Sequence, residues 1–199
     1  MKRILVTYAT MAGSTQDVAR VVGEEIAKHG VQVDILHIDQ IADLEVYDAV
    51  VVGAPMIMGW HRAASAFLSK HRRVFQRIPL AVFVTAMSLT RGAETCIDGV
   101  PVELDGNLAK PIAIAGRPNF RERYATLSNY LRPILRATRP VRPVSIGVFG
   151  GRLEYGRLKW WAVFFAMVII RAPAGDRRNW QAIRAWAGKL PEQFRVAAG

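Results

Sequence analysis

A short apolar run, Ile4-Leu5-Val6, leads through Thr7-Tyr8 into Ala9-Thr10-Met11-Ala12-Gly13-Ser14-Thr15 and then a stretch of helical periodicity. These are the residues whose types and spacing best suit chemistry, and the chemistry is anion capture. A helix N-terminus carries N–H groups without intrahelical acceptors and a partial positive charge. Small residues let the backbone close around a phosphate, and Gly13 can adopt a positive φ. Thr10, Ser14 and Thr15 can donate hydrogen bonds, so no lysine is required. Neither G-x-G-x-x-G nor G-K-[ST] is present, which excludes a dinucleotide fingerprint and a nucleoside triphosphate loop. An isolated Gly-Ser-Thr turn also serves as a plain strand-to-helix turn with a capping hydroxyl. Its place after the first strand of an alternating chain favours a ligand, because open α/β sheets bind ligands beyond the carboxyl ends of their strands.

Other reactive side chains are sparse. Cys96 is the one cysteine, so no disulfide framework and no Cys/His zinc spacing can be assembled. It reads as a small packed apolar residue in a reducing compartment. His29, His37, His61 and His71 lack ligand spacing, and no metal is expected. Only His61 lies near a second candidate loop, Gly53–His61.

The elements that position these residues alternate strand and helix, the pattern of a parallel sheet with crossover helices. Strands are expected at Arg3–Tyr8, Val31–Ile38, Ala49–Gly53, Leu80–Ala86 and Val144–Phe149, with Val31–Ile38 near a sheet edge and Ala49–Gly53 central. Helices are expected at Thr15–His29, closed by Gly30, and at Arg62–Phe75, packing Phe67, Val74 and Phe75. Residues 87–118 show little periodicity and read as a long functional or mobile loop. A helix follows from Asn119, with Asn119 and Glu122 at capping-box spacing and Phe120, Tyr124, Leu127 and Leu131 as its stripe. Pro133 should kink or end it. The last helix should start near Asp176 and bury Trp180, Ile183 and Leu190. One domain over residues 1–199 accounts for this pattern, with an apolar and basic insertion at about 151–175.

The 199-residue chain carries a formal charge of +11, unevenly placed. Residues 1–60 hold four Lys/Arg against eight Asp/Glu, whereas residues 61–77 hold five Lys/Arg and no acid. Residues 117–159 hold ten Lys/Arg and two acids. Such a basic part attracts nucleic acid, an anionic membrane or a carboxylate-bearing substrate, and charge alone does not choose. Nucleic acid is not expected, because the aromatic residues do not alternate with basic ones on a strand platform. Ile4-Leu5-Val6 is too short for a signal h-region, so a cytoplasmic protein is expected. Trp160–Ile170 is eleven apolar residues long. As a helix it measures about 16 Å at ~1.5 Å per residue, half of a ~30 Å hydrocarbon core. It is either buried in the fold or an interface, lines a pocket for an apolar ligand, or dips into a bilayer surface with Trp160 and Trp161 at the interface and a peripheral membrane contact as the result.

These segments resemble flavodoxins. Thr10–Thr15 matches their FMN phosphate loop, and Tyr47-Asp48-Ala49-Val50-Val51-Val52-Gly53-Ala54-Pro55 matches their third strand and the loop beyond it. The resemblance spans most of the chain in element order. It implies an α/β, flavodoxin-like three-layer sandwich with a five-stranded parallel sheet in the order 2-1-3-4-5. More narrowly, the chain resembles the flavodoxin-type protoporphyrinogen dehydrogenase family, which passes electrons to quinone. The segments that carry this are Thr10–Thr15, Gly53-Ala54-Pro55-Met56-Ile57-Met58-Gly59-Trp60-His61 before a basic helix, and Gly147-Val148-Phe149-Gly150-Gly151-Arg152-Leu153-Glu154-Tyr155 before Lys159-Trp160-Trp161. The chain departs from that family at Met11 and Ala12, where a charged residue is common, and in a longer 90–118 segment.

The resemblance implies FMN as cofactor, with its phosphate on Thr10, Met11, Ala12, Gly13, Ser14 and Thr15. It places the flavin ring between a loop contributing Pro55, Met56, Gly59 and Trp60 and a loop beginning Met87-Ser88-Leu89. Trp60 either stacks on the flavin or is a core aromatic beside a turn. No catalytic side chain is implied, since the flavin carries the chemistry. Arg152, Arg157 and Lys159 can pair with porphyrinogen carboxylates or form a solvated basic surface. The implied function is oxidation of protoporphyrinogen IX in haem biosynthesis, with a quinone as acceptor. A flavodoxin-like electron carrier, or a quinone reductase with a different substrate, is the alternative.

Overall fold

The computed structural model describes residues 3–57, 59–90, 94–111, 122–123, 125–153 and 175–198. Its central sheet grows from apolar runs too short for helices. Strand β1 is Arg3–Tyr8, β2 is Gln32–His37, β3 is Ala49–Pro55, β4 is Leu80–Ala86 and β9 is Ser145–Gly150. They pair in parallel in the order β2-β1-β3-β4-β9, the five-strand order expected from the sequence. Strands β3 and β4 are buried along their whole length, as befits central strands covered on both faces.

The sheet does not stop at five strands. Four short strands interrupt the segment expected to be a loop: β5 (Leu89–Thr90), β6 (Cys96–Ile97), β7 (Val100–Leu104) and β8 (Ala109–Lys110). Strand β7 pairs in parallel with β9, and β6 folds back antiparallel on β7, giving seven strands. Pro101 and Glu103 break the apolar run, and only Val100 and Val102 are buried along β7, so periodicity does not reveal it. Cys96 is exposed, not packed as expected, because it lies on β6, the end strand of the sheet.

Helices α1 (Ser14–Ala27) and α4 (Trp180–Ala198) cover one face, and α2 (Arg62–His71) and α3 (Leu127–Thr138) the other. Strand alternation feeds both layers: Leu5, Val50, Val82 and Val148 face α2 and α3, while Ile4, Val51, Phe83 and Phe149 face α1 and α4. Helix α2 ends at His71, and a 3₁₀ turn at Val74–Gln76 carries the buried Phe75. Thr126 caps α3 by accepting from the Asn129 N–H. Pro133 neither ends nor stops that helix, which runs on to Thr138. Pro133 and Asn129 are both exposed, so water can reach the Asn129 carbonyl that the ring leaves without a donor. Asn119, Phe120 and Tyr124 lie outside the described residues. Helix α4 starts at Trp180, four residues later than expected, because Asn179 caps it by accepting from the Ala182 N–H.

Candidate functional site

The loop after β1 leads into an uncapped helix N-terminus. Gly13 sits at the N-cap of α1 with φ 86°, a left-handed conformation that costs glycine nothing. No side chain caps the helix. Its first-turn N–H groups therefore remain open to a ligand. Each of the three hydroxyls keeps a donor. Thr10 Oγ1 accepts from the Gly13 N–H at 2.9 Å, and Ser14 Oγ accepts from the Arg152 N–H at 2.8 Å, so both retain their own O–H. Thr15 Oγ1 lies 3.1 Å from Thr85 Oγ1, and the Thr85 O–H can point inward and free that of Thr15. These residues fit a phosphate: open N–H groups, three hydroxyl donors and the positive end of a 14-residue helix border one cleft.

The loop is one wall of a cleft at the carboxyl edge of the sheet. Thr10, Met11, Ala12, Ser14 and Thr15 line it from the first loop, and Pro55, Met56 and Ile57 from the loop after β3. Thr85 and Ala86 line it from the end of β4, Met87 from just beyond, and Gly151, Arg152 and Leu153 after β9. Backbone hydrogen bonds pin adjacent loops together beyond the strands: Ala9 N–H to Gly53 O at 2.9 Å, Met56 N–H to Thr85 O at 2.8 Å, and Gly151 N–H to Ala86 O at 2.9 Å. A larger hollow, about 870 Å³, lies at the opposite, amino edge beside Asp98, Leu135, Arg139 and Arg142, away from the phosphate loop.

Not every expected residue reaches the cleft. Trp60 is 6 % exposed, packs in the core beneath α2, and donates its indole N–H to Ala54 O at 3.2 Å. Leu89 is buried in the same core, and Ser88 uses its carbonyl to accept from Tyr130 Oη. Gly59, at φ 108°, shapes the turn between Met56 and Trp60, which pair as an isolated bridge. Arg157, Lys159, Trp160 and Trp161 lie outside the described residues.

Sequence reasoning missed a strap across the end of β9. Strands β10 (Arg152–Leu153) and β11 (Gly175–Asp176) pair antiparallel beside the cleft, and residues 154–174 between them lie outside the described residues. Arg177 bonds Gly151 O through its backbone and Met87 O through its guanidinium, both at 3.0 Å. A Cβ at Gly150 would stand 1.9 Å from the Arg177 carbonyl oxygen, so glycine is required where the strap crosses. Asp105 is fully buried and accepts from Asn179 Nδ2 at 3.0 Å and from the Gly150 N–H at 3.4 Å. Arg178 reaches Asp17 in the first turn of α1 at 2.7 Å and forks onto Asp176. That fork holds the Asp176 carboxyl below its ordinary range. The only hint in the chain is the run Asp176-Arg177-Arg178-Asn179 before a helix, which reads as capping chemistry alone.

His61, at the N-cap of α2, keeps a buried Nδ1 without a hydrogen-bond partner. Burial lowers its pKa, His37 lowers it further, and Asp39 opposes them. Burial also lowers that of His71. The unfolded chain takes up these protons first, so folding stability is full above the ordinary histidine value of 6.5 and falls as the pH drops through it. Denaturant midpoints are expected to fall between pH 7.5 and 5.5, and the H61Q/H71Q variant to flatten that fall. An unchanged slope in the variant contradicts the assignment.

Comparison with known proteins follows the same lines. The flavodoxin-domain family model matches residues 5–178. Protoporphyrinogen IX dehydrogenase [quinone] of Escherichia coli K12 is 24 % identical over 177 residues, covering 87 % of this chain and 82 % of that protein. The flavodoxin of Megasphaera elsdenii, solved in its two-electron reduced form, superposes with a TM-score of 0.51 at 9 % identity, covering 94 % of this chain and 98 % of that one. The flavodoxin of Streptococcus pneumoniae TIGR4 gives 0.50 at 11 % identity, covering 96 % and 99 %. The two flavodoxin structures support the fold.

Proposed function

The chain belongs to the flavodoxin-domain family, whose cofactor is FMN, and from that membership we propose an FMN-dependent oxidoreductase that oxidises a porphyrinogen and reduces a quinone. The observation that carries the reading is the uncapped N-terminus of α1 with its three hydroxyls, facing a cleft lined by four loops. Thr10, Ser14, Thr15 and the α1 N–H groups hold the phosphate. Pro55, Met56, Ile57 and Met87 border the ring and exclude water from it. Bound FMN supplies the redox chemistry, accepting or releasing a hydride or electrons. Buried Trp60 supports the Met56 turn from below instead of stacking on the ring. The porphyrinogen and quinone assignments draw on the Escherichia coli relative.

The basic surface suits such partners. Helices α2 and α3 pack side by side, and residues 62–79 and 125–145 hold nine Lys/Arg and no Asp or Glu. Among the described residues, acidic partners reach this face at Arg77, from Glu45, and at Arg139, from Asp98 at 3.9 Å. A face of that charge favours anionic membrane surfaces, where an apolar quinone resides. A peripheral, cytoplasmic-face enzyme follows. No helix among the described residues is long and apolar enough to cross a membrane. A flavodoxin-like electron carrier is the second reading, and this basic face weighs against it.

The test is an anaerobic visible spectrum of FMN-loaded protein. Protoporphyrinogen should bleach the flavin band, and quinone carried in anionic vesicles should restore it faster than quinone in neutral ones. A flavin that stays oxidised rejects the dehydrogenase reading, and equal recovery from both vesicles rejects the membrane reading. A chain that never retains FMN rejects the cofactor.

A further inference from the structure

We propose that Arg178 is a charge-balancing residue of the phosphate site, cancelling Asp17 so that the N-terminus of α1 stays attractive to a phosphate dianion. The inference rests on the phosphate-loop reading above. Asp17 stands in the first helical turn, two residues beyond Thr15. A carboxylate there stabilises an isolated helix by its dipole. The same charge opposes a phosphate bound at that end.

Two arginines answer it. Arg178 Nη1 donates to Asp17 Oδ2 at 2.7 Å, and Arg152 Nη2 lies 3.6 Å from the same oxygen. The Arg178 side chain is only 6 % exposed, unusual for a residue that ordinarily extends its head into water. Its Nε donates to Asp176 Oδ1 at 2.8 Å, and its carbon Cζ lies 4.6 Å from the Trp180 ring centroid. The guanidinium is thus held between two carboxylates and an indole, with little freedom to follow solvent. Asp17, Asp176, Arg152 and Arg178 sum to zero charge. Loss of Arg178 leaves a net negative charge beside the bound anion.

Arg178 also joins two parts of the site. Asp176 belongs to the clasp at the base of residues 154–174, and Asp17 to the phosphate-binding helix. Arg178 is a positioning residue and touches neither the flavin nor the substrate in this assignment.

The experiment measures FMN and riboflavin affinities by flavin fluorescence quenching in the full chain, at low and at physiological salt. Riboflavin lacks the phosphate, so it reports the ring site without the charge effect. R178Q should weaken FMN about tenfold (about 1.4 kcal/mol) and leave riboflavin within about twofold. The FMN loss should shrink as salt rises. D17N/R178Q should recover most of the FMN affinity, and R178K should stay near the native value. D17N alone keeps the Arg178 scaffold and should bind FMN several-fold more tightly. Equal losses for FMN and riboflavin, no recovery in the double variant, or no tightening in D17N overturns the proposal. These failures leave the phosphate loop standing if its hydroxyl variant still loses FMN, so the two readings fail separately.

Discussion

Removing the three loop hydroxyls as T10V/S14A/T15V is expected to weaken FMN binding about a hundredfold, which is about 2.7 kcal/mol. The substitutions change little volume, so they test donors and not space. Each hydroxyl keeps one O–H for a ligand after its structural bond is made. A hydrogen bond to a charged acceptor contributes about 1.5–3 kcal/mol, and part of the loss is offset by water entering the loop. Riboflavin affinity should change less than about threefold, because in the proposed site the ring is bordered by the other three lining segments. The variant has a stability cost of its own: the Gly13 N–H, the Arg152 N–H and the buried Thr85 hydroxyl each lose a partner. Circular dichroism melts separate that cost from the binding loss. FMN affinity within about threefold of native would remove the phosphate from this loop.

Trp186→Ala is expected to cost about 3–5 kcal/mol of stability, the range for deleting a large buried aromatic. Trp186 is fully buried between the sheet and α4. Its ring lies 5.5 Å from that of Phe149 and 6.3 Å from that of Phe83, both edge-on. Its indole N–H donates to the buried Ser145 Oγ at 2.9 Å. Alanine leaves a cavity behind β9 and takes the donor from a hydroxyl sealed away from water. For a chain of this size the melting temperature should fall by roughly 10 °C. W186F refills most of the cavity without the N–H and should fall between the two. A loss in W186A below about 1 kcal/mol by urea titration would show that α4 contributes little to the core.

Legibility followed sequence separation. Strands β1, β3 and β4 were legible because each is a dense apolar run whose burial on both faces leaves no other place for it. The phosphate loop was legible because its donors lie within six consecutive residues, and the helix end they share is a local property of the backbone. The extra strands at 96–104 were not, because β7 is stabilised by pairing with β9, more than forty residues away. Cys96 followed them out to the edge.

The sequence by itself determined the alternation of elements and a loop whose residue types suit a phosphate, both of which depend on neighbours within a turn or on the period of apolar residues. The order of the five parallel strands came from the resemblance to flavodoxins. Only the tertiary structure buries Trp60 with its indole N–H on Ala54 O, pairs Arg152–Leu153 with Gly175–Asp176, and brings Arg178 to Asp17 across 161 residues. A guanidinium has no preferred carboxylate in sequence. It takes the one that folding brings within hydrogen-bond reach and out of water, and there the pair acquires its strength.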